Sequence, residues 1–170
     1  VLEYTQTNYP GLIYAWDVVN EAVNPDGGDE NGLRTADSLW YQVIGPEYIE
    51  KAFEYARKYA GPGVKLFYND YNTEEKGKLR YIKNLVKGLK EKGLIDGIGL
   101  QCHFTMDNPS LIDVDTSIRE YGELGLEIHI TELDMGLKVN TEEEFLRQAK
   151  RYKRLFLIIK DIAESKAANI

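Results

Sequence analysis

Leu12-Ile13-Tyr14-Ala15-Trp16-Asp17-Val18-Val19 runs straight into Asn20-Glu21. The run is apolar apart from Asp17, as expected of a strand buried on both faces inside a helix-covered parallel sheet. Ile130-Thr131-Glu132-Leu133-Asp134 repeats the device, a β-type apolar segment that ends in a carboxylate. Two glutamates at the ends of two separate strands are the layout a barrel enzyme uses to set an acid and a nucleophile across one bond.

Outward from these stretches, strands alternate with helices and no linker intervenes. Residues 64–68, 97–101 and 126–131 are the further strand candidates. Ile49, Ala52, Phe53, Ala56 and Ala60 share one face of a helix starting near Pro46. Leu79, Ile82, Leu85, Val86 and Leu89 do the same for a second helix, which Gly93 ends. A third, less regular helix spans residues 111–124. The fourth carries a stripe of Phe145, Ala149, Tyr152, Leu155, Phe156 and Ile159, and Thr141-Glu142-Glu143-Glu144 forms a capping box at its start.

Four strand–helix units in a row predict a parallel α/β sheet with right-handed crossovers. A doubly wound open sheet and a (β/α)8 barrel both fit that pattern. No glycine-rich phosphate loop follows the first strand, which weakens the nucleotide-binding version. Candidate catalytic residues instead recur at the C-terminal ends of all four strands: Asn20 and Glu21, then Asn69 to Asn72, then Gln101 and His103, then Glu132 and Asp134. A barrel collects its active site from several strands in this way, so the barrel is preferred.

The net charge of −7 argues against nucleic acid and against an anionic membrane surface as partner. No apolar run is long enough to span a bilayer, and no signal peptide is visible. The chain begins at Val1 and reads as processed or cut from something longer. Twelve tyrosines and two tryptophans offer flat faces that suit sugar rings, although most such residues serve as core aromatics. The single cysteine, Cys102, excludes an intrachain disulfide and does not report on compartment.

Four segments now carry a resemblance: Trp-Asp-Val-Val-Asn-Glu-Ala (16–22), Leu-Phe-Tyr-Asn-Asp-Tyr-Asn (66–72), Ile-Asp-Gly-Ile-Gly-Leu-Gln-Cys-His (95–103) and Ile-Thr-Glu-Leu-Asp-Met (130–135). Together and in this order they resemble glycoside hydrolase family 10, the endo-1,4-β-xylanases. The resemblance covers essentially the whole chain. It implies a retaining hydrolase of xylan or xylo-oligosaccharide that works by double displacement without cofactor or metal. Glu21 matches the acid/base, which protonates the leaving glycosidic oxygen and later deprotonates water. Glu132 matches the nucleophile that forms the glycosyl-enzyme. Retention implies carboxyl groups roughly 5–5.5 Å apart.

By the same resemblance, Asn20 bonds the 2-hydroxyl of the sugar being cleaved. His103 bonds Glu132 and is held by Asp134, and Gln101 supports the carboxylates. Tyr71 and Asn72 line the leaving-group side, with Tyr71 a stacking candidate. If Glu132 points into the barrel mouth, strand alternation gives Ile128, Ile130 and Asp134 the same direction and turns His129 toward the helices. Cys102, of opposite parity to Gln101 and His103, reads as a small core residue.

A whole barrel takes about 250 residues. Residues 1–170 therefore read as a single partial catalytic domain, with four units matching strands four to seven. The first three strands and the eighth are absent, and Ala168-Asn169-Ile170 reads as the lead-in to the eighth. The missing barrel half becomes an implied partner, on the same chain or another, because a half-barrel leaves open edges. Such a piece alone should be weakly active or inactive. The family also implies an extracellular, secreted enzyme. Two other readings stay open: a related β-1,4-glycanase preferring glucan, and a non-catalytic half-barrel serving as a folding unit or carbohydrate-binding remnant.

Overall fold

The computed structural model describes all 170 residues. In chain order the elements are α1 (Leu2–Asn8), β1 (Ala15–Asn20), α2 (Leu39–Ile44), α3 (Tyr48–Tyr59), β2 (Lys65–Asp70), α4 (Lys76–Glu91), β3 (Gly97–Leu100), β4 (His103–Thr105), α5 (Leu111–Gly122), β5 (Glu127–Ile130), β6 (Asp134–Gly136) and α6 (Glu142–Glu164). β1, β2, β3 and β5 pair in that order and all in parallel. β4 and β6 form a second, two-stranded parallel sheet in which His103 faces Asp134. α1, α2, β4 and β6 lie outside the elements read from periodicity, being too short to show a period.

One face of the main sheet builds the core. Leu66, Tyr68, Ile98, Leu100 and Ile128 pack there against Ile49 and Phe53 of α3, Ile82 and Val86 of α4, and Ile118 of α5. Each such side chain, fully buried, contributes about 1.5–3 kcal/mol. The opposite face carries Phe67, Asn69 and His129. It is made narrow by Gly97 and Gly99, which pair with Phe67 and Asn69 on the neighbouring strand. A Cβ on Gly97 would meet the Phe67 ring at 2.1 Å, so only glycine lets that ring lie across β3 to stack on His129 at 4.1 Å between centroids.

That stacking corrects the expected parity. Ile128 faces the helices and His129 faces away from them, held by Phe67 and by a 2.9 Å bond to Glu127. Counting back by twos from Glu132 assumes a continuous strand, and β5 stops at Ile130. β1 contains a second break in alternation. Asp17 pairs with Phe67, and Asn20 pairs with Asn69, so four residues on β1 span three on β2. The bulge between Asp17 and Val19 puts Asn20 on the same face as Asn69, where strict alternation would have put Val19.

The first strand is also less buried than its composition suggests. β1 starts at Ala15, and Leu12 and Tyr14 are exposed. β1 is an edge strand with β2 as its one partner, so its other side carries no strand. A cavity of about 810 Å³ runs along that edge between β1, α2 and α3 and reaches Asn20 and Glu21. At the far edge, the Ile128 N–H donates to the Asn169 carbonyl at 2.7 Å, and Asn169 bridges Glu127 in parallel. The last residues thus begin to pair where an added strand would lie.

Helix ends follow their local chemistry. Gly93, at φ +69°, turns the chain after α4. Thr141 Oγ1 accepts from the Glu144 N–H at 3.3 Å at the start of α6, while the Glu144 carboxylate pairs with Arg147. The expected stripe on α6 is only partly covered. Leu155 and Ile162 are buried and Tyr152 and Ile159 half-buried, but Phe145, Ala149 and Phe156 are exposed, because α6 packs mainly on α5. No helix is long and apolar enough to cross a membrane.

Candidate active site

The site forms where β1, β2, β3 and β5 end. Glu21 follows β1 at φ +56° and Cys102 follows β3 at φ +61°. A non-glycine residue in this left-handed region costs about 1–3 kcal/mol, so the surroundings must impose it. They do so at Glu21, whose N–H donates to the Asn69 carbonyl at 2.9 Å and whose carbonyl accepts from Arg34 Nε at 2.7 Å. Cys102 turns its thiol into the core, where burial pushes it up to about 12. The same turn releases Gln101 and His103 toward the site.

A continuous hydrogen-bonded chain joins the two glutamates. Gln101 Nε2 donates to Glu21 Oε1 at 3.0 Å and lies 3.2 Å from Asn20 Oδ1. Asn69 Nδ2 reaches the same Asn20 oxygen and Glu132 Oε1, each at 2.9 Å. Thr131 Oγ1 fixes the Asn69 amide by donating to its Oδ1 at 2.8 Å. On its other oxygen Glu132 meets His103 Nε2 at 3.2 Å, and His103 Nδ1 meets Asp134 Oδ2 at 3.0 Å. The hydrogen bond to Asp134 is the largest cause raising the His103 imidazole above its ordinary value, and the charges of Asp134 and Glu132 add to it. Glu132 and Asp134 take opposite nitrogens of His103, and no three donors converge where they could hold a metal ion.

Six of the eight residues singled out in the sequence thus come together: Asn20, Glu21, Gln101, His103, Glu132 and Asp134. Tyr71 joins at the rim. Its hydroxyl accepts from Arg34 Nη2 at 2.5 Å, and Lys78 Nζ sits 3.4 Å from its ring centroid, so one ring face already holds a cation. Asn72 stands apart, at φ +50°, with Nδ2 donating to Glu75 Oε1 at 3.1 Å. Asn69 was named among the strand-end candidates without a specific role, and Arg34 was not named. Asn69 had a signal, being an amide at the end of the apolar run Leu66-Phe67-Tyr68. Arg34 had none, because it reaches Glu21 from a loop thirteen residues on.

The glycosyl hydrolase family 10 model matches residues 2–170. Endo-1,4-beta-xylanase B of Butyrivibrio fibrisolvens is 48% identical over 171 residues, which cover 100% of this chain and 26% of that protein. Exoglucanase XynX of Acetivibrio thermocellus is 45% identical over 165 residues, covering 94% of this chain and 14% of that one. Among solved structures, TsXylA, an intracellular xylanase of Thermoanaerobacterium saccharolyticum, superposes with a TM-score of 0.84 at 42% identity. The match covers 96% of this chain and 49% of TsXylA. Glutamate-to-alanine mutants of TsXylA are known in complex with xylotriose and with xylotetraose. This chain therefore spans about half of its structural neighbour, and 26% and 14% of these two relatives. The likeness identifies the four-stranded parallel sheet and its helices as part of a (β/α)8 barrel. The expected extracellular location does not stand, because a similar xylanase, TsXylA, is intracellular and family likeness does not carry export.

Proposed function

The chain belongs to glycosyl hydrolase family 10, and on that premise we propose that it is the reactive portion of a retaining endo-1,4-β-xylanase. Residues 1–170 act as a single partial catalytic domain of that enzyme. The observation that carries the proposal is the hydrogen-bonded chain from Glu21 through Gln101, Asn20 and Asn69 to Glu132. It ties two carboxylates from two strands into one fixed pair, as double displacement at a glycosidic bond requires.

Glu132, oriented by His103 and Asn69, attacks the anomeric carbon of a xylosyl unit, and the glycosidic C–O bond breaks. Glu21 gives its proton to the departing oxygen. In the second half, Glu21 takes a proton from water, which attacks the anomeric carbon and releases Glu132 with the β configuration restored. Asn20 bonds the 2-hydroxyl, and Gln101 holds both Asn20 and Glu21. Tyr71 and Asn72 border the leaving-group side.

Proton NMR of xylo-oligosaccharide hydrolysis by the full protein tests the mechanism. The first-formed product is the β-anomer, and Glu132→Gln abolishes turnover. An α-anomer as first product, or an active Glu132→Gln enzyme, would refute it. Residues 1–170 alone supply four of the eight strands and carry little or no xylanase activity; turnover equal to the full protein's would overturn that point. A glucan-preferring enzyme is the second reading, favoured by the likeness to a protein named an exoglucanase. Relative rates on xylan and on aryl cellobiosides separate the two.

A further inference from the structure

Behind Glu21 lies a fully buried polar group that the reaction above does not use. Tyr68, Asp70 and Lys78 are 0%, 0% and 2% exposed. Tyr68 Oη accepts from the backbone N–H groups of Ala22 and Val23, each at 3.1 Å, and donates to Asp70 Oδ2. A phenol has one proton and two lone pairs, so its capacity is fully used. Burial first, and the Asp70 charge second, hold this phenol far above its ordinary value and keep it protonated. Asp70 Oδ1 accepts from the Tyr71 N–H at 2.9 Å and from Lys78 Nζ at 2.7 Å. Lys78 in turn lies against the Tyr71 ring.

Stability is a poor reason for this arrangement. Replacing a buried ion pair by apolar side chains of similar volume is often neutral or stabilising. What the arrangement delivers is a fixed backbone. Glu21 sits in a left-handed conformation that any free chain would leave, and the two N–H groups that follow it are aimed at one hydroxyl. With the Asn69 and Arg34 contacts, the peptide units on both sides of Glu21 are held.

We propose that Tyr68, Asp70 and Lys78 are positioning residues for Glu21: they hold residues 21–23 so that the Glu21 carboxyl meets the glycosidic oxygen. The inference rests on the acid/base role proposed for Glu21. None of the three touches substrate. They act by setting the Glu21 backbone, and the same carboxylate of Asp70 fixes the start of the segment that bears Tyr71.

The test uses the full protein and two aryl β-xylobiosides, phenyl and dinitrophenyl. Phenolate is a poor leaving group and needs the acid's proton, whereas dinitrophenolate departs without it. In Tyr68→Phe, kcat/KM on the phenyl substrate falls on the order of tenfold, a part of the roughly 10²–10⁴-fold that general acid catalysis supplies, and stays within about threefold on the dinitrophenyl substrate. A purely structural role would lower both equally, and equal losses, or no loss on either, would overturn the proposal. Where Tyr68→Phe does not fold, Lys78→Met shows the same split, and its absence there counts equally against it. Glu21→Gln is the reference. If Glu21→Gln shows no split while the wild type cleaves both substrates, the assignment of Glu21 itself falls, which separates that failure from a failure of the positioning role.

Discussion

Gly99→Ala probes the centre of the site from the neighbouring strand. A Cβ at Gly99 would lie 2.3 Å from Asn69 Oδ1 and 3.0 Å from both Asn69 Cγ and Thr131 Cγ2, against ordinary contact at 3.4–4 Å. The Asn69 amide must therefore withdraw by about 1 Å, which strains its bonds to Asn20, Glu132 and Thr131. Overpacking of this kind costs about 1–3 kcal/mol. The bond to the Glu132 carboxylate is worth about 1.5–3 kcal/mol and each neutral bond about 0.5–1.5. The alanine returns about 0.4–1 kcal/mol by restricting the unfolded chain. A net loss of about 2–4 kcal/mol in stability is expected by urea unfolding. Glu132 loses one of its two orienting partners, so under the proposed mechanism the full protein's kcat on xylan falls roughly 10–150-fold, the kinetic equivalent of that one charged bond. The decisive control is Asn69→Ala, which removes the closest contacts and leaves only that with Thr131 Cγ2. In that background Gly99→Ala should cost well below its cost alone, the remainder being the Thr131 contact. Wild-type kcat and urea midpoint in Gly99→Ala, or strictly additive effects in the double variant, would refute the steric reasoning.

Further outcomes follow from the same contacts. Asp134→Asn removes the largest cause raising His103, so the His103 titration midpoint followed by ring-proton NMR moves down. A raised histidine stabilises the fold fully below its unfolded value near 6.5 and loses that contribution as pH climbs through the higher folded value. The variant therefore shows a shallower fall in stability over that window, and an unmoved midpoint would exclude the Asp134 contact. Phe53→Ala in α3, at a side chain with no exposure, lowers stability by about 3–5 kcal/mol with little change in the urea m-value. A loss below about 1 kcal/mol would mean that the core does not close over this position.

Much of the architecture was written in the chain at short range. The four strands and the helices α3 to α6 announce themselves by apolar runs and by a period near 3.6, because each must bury one stripe against the same sheet. Glu21 and Glu132 were legible for a related reason, since an acid at the end of an apolar strand has nowhere to go but the sheet's C-terminal rim. Cys102 was legible as core by its neighbours' polarity. The α6 stripe was misjudged at Phe145, Ala149 and Phe156 because periodicity names a face without saying whether anything covers it.

The remaining features depend on pairs far apart in sequence. Asn20 faces Asn69 only because β1 bulges between Asp17 and Val19, and His129 faces Phe67 because β5 ends before Glu132. Each is a one-residue slip, and with a side-chain period of two a single slip exchanges the faces of everything beyond it. Arg34 on Glu21 and Tyr68 beneath residues 22–23 are likewise invisible along the chain. The sequence by itself determined which polar residues end the strands and which faces are apolar, since composition and local period govern both. Tertiary structure decided which polar groups meet, because a hydrogen bond depends on ångström-scale register between strands that no local pattern encodes.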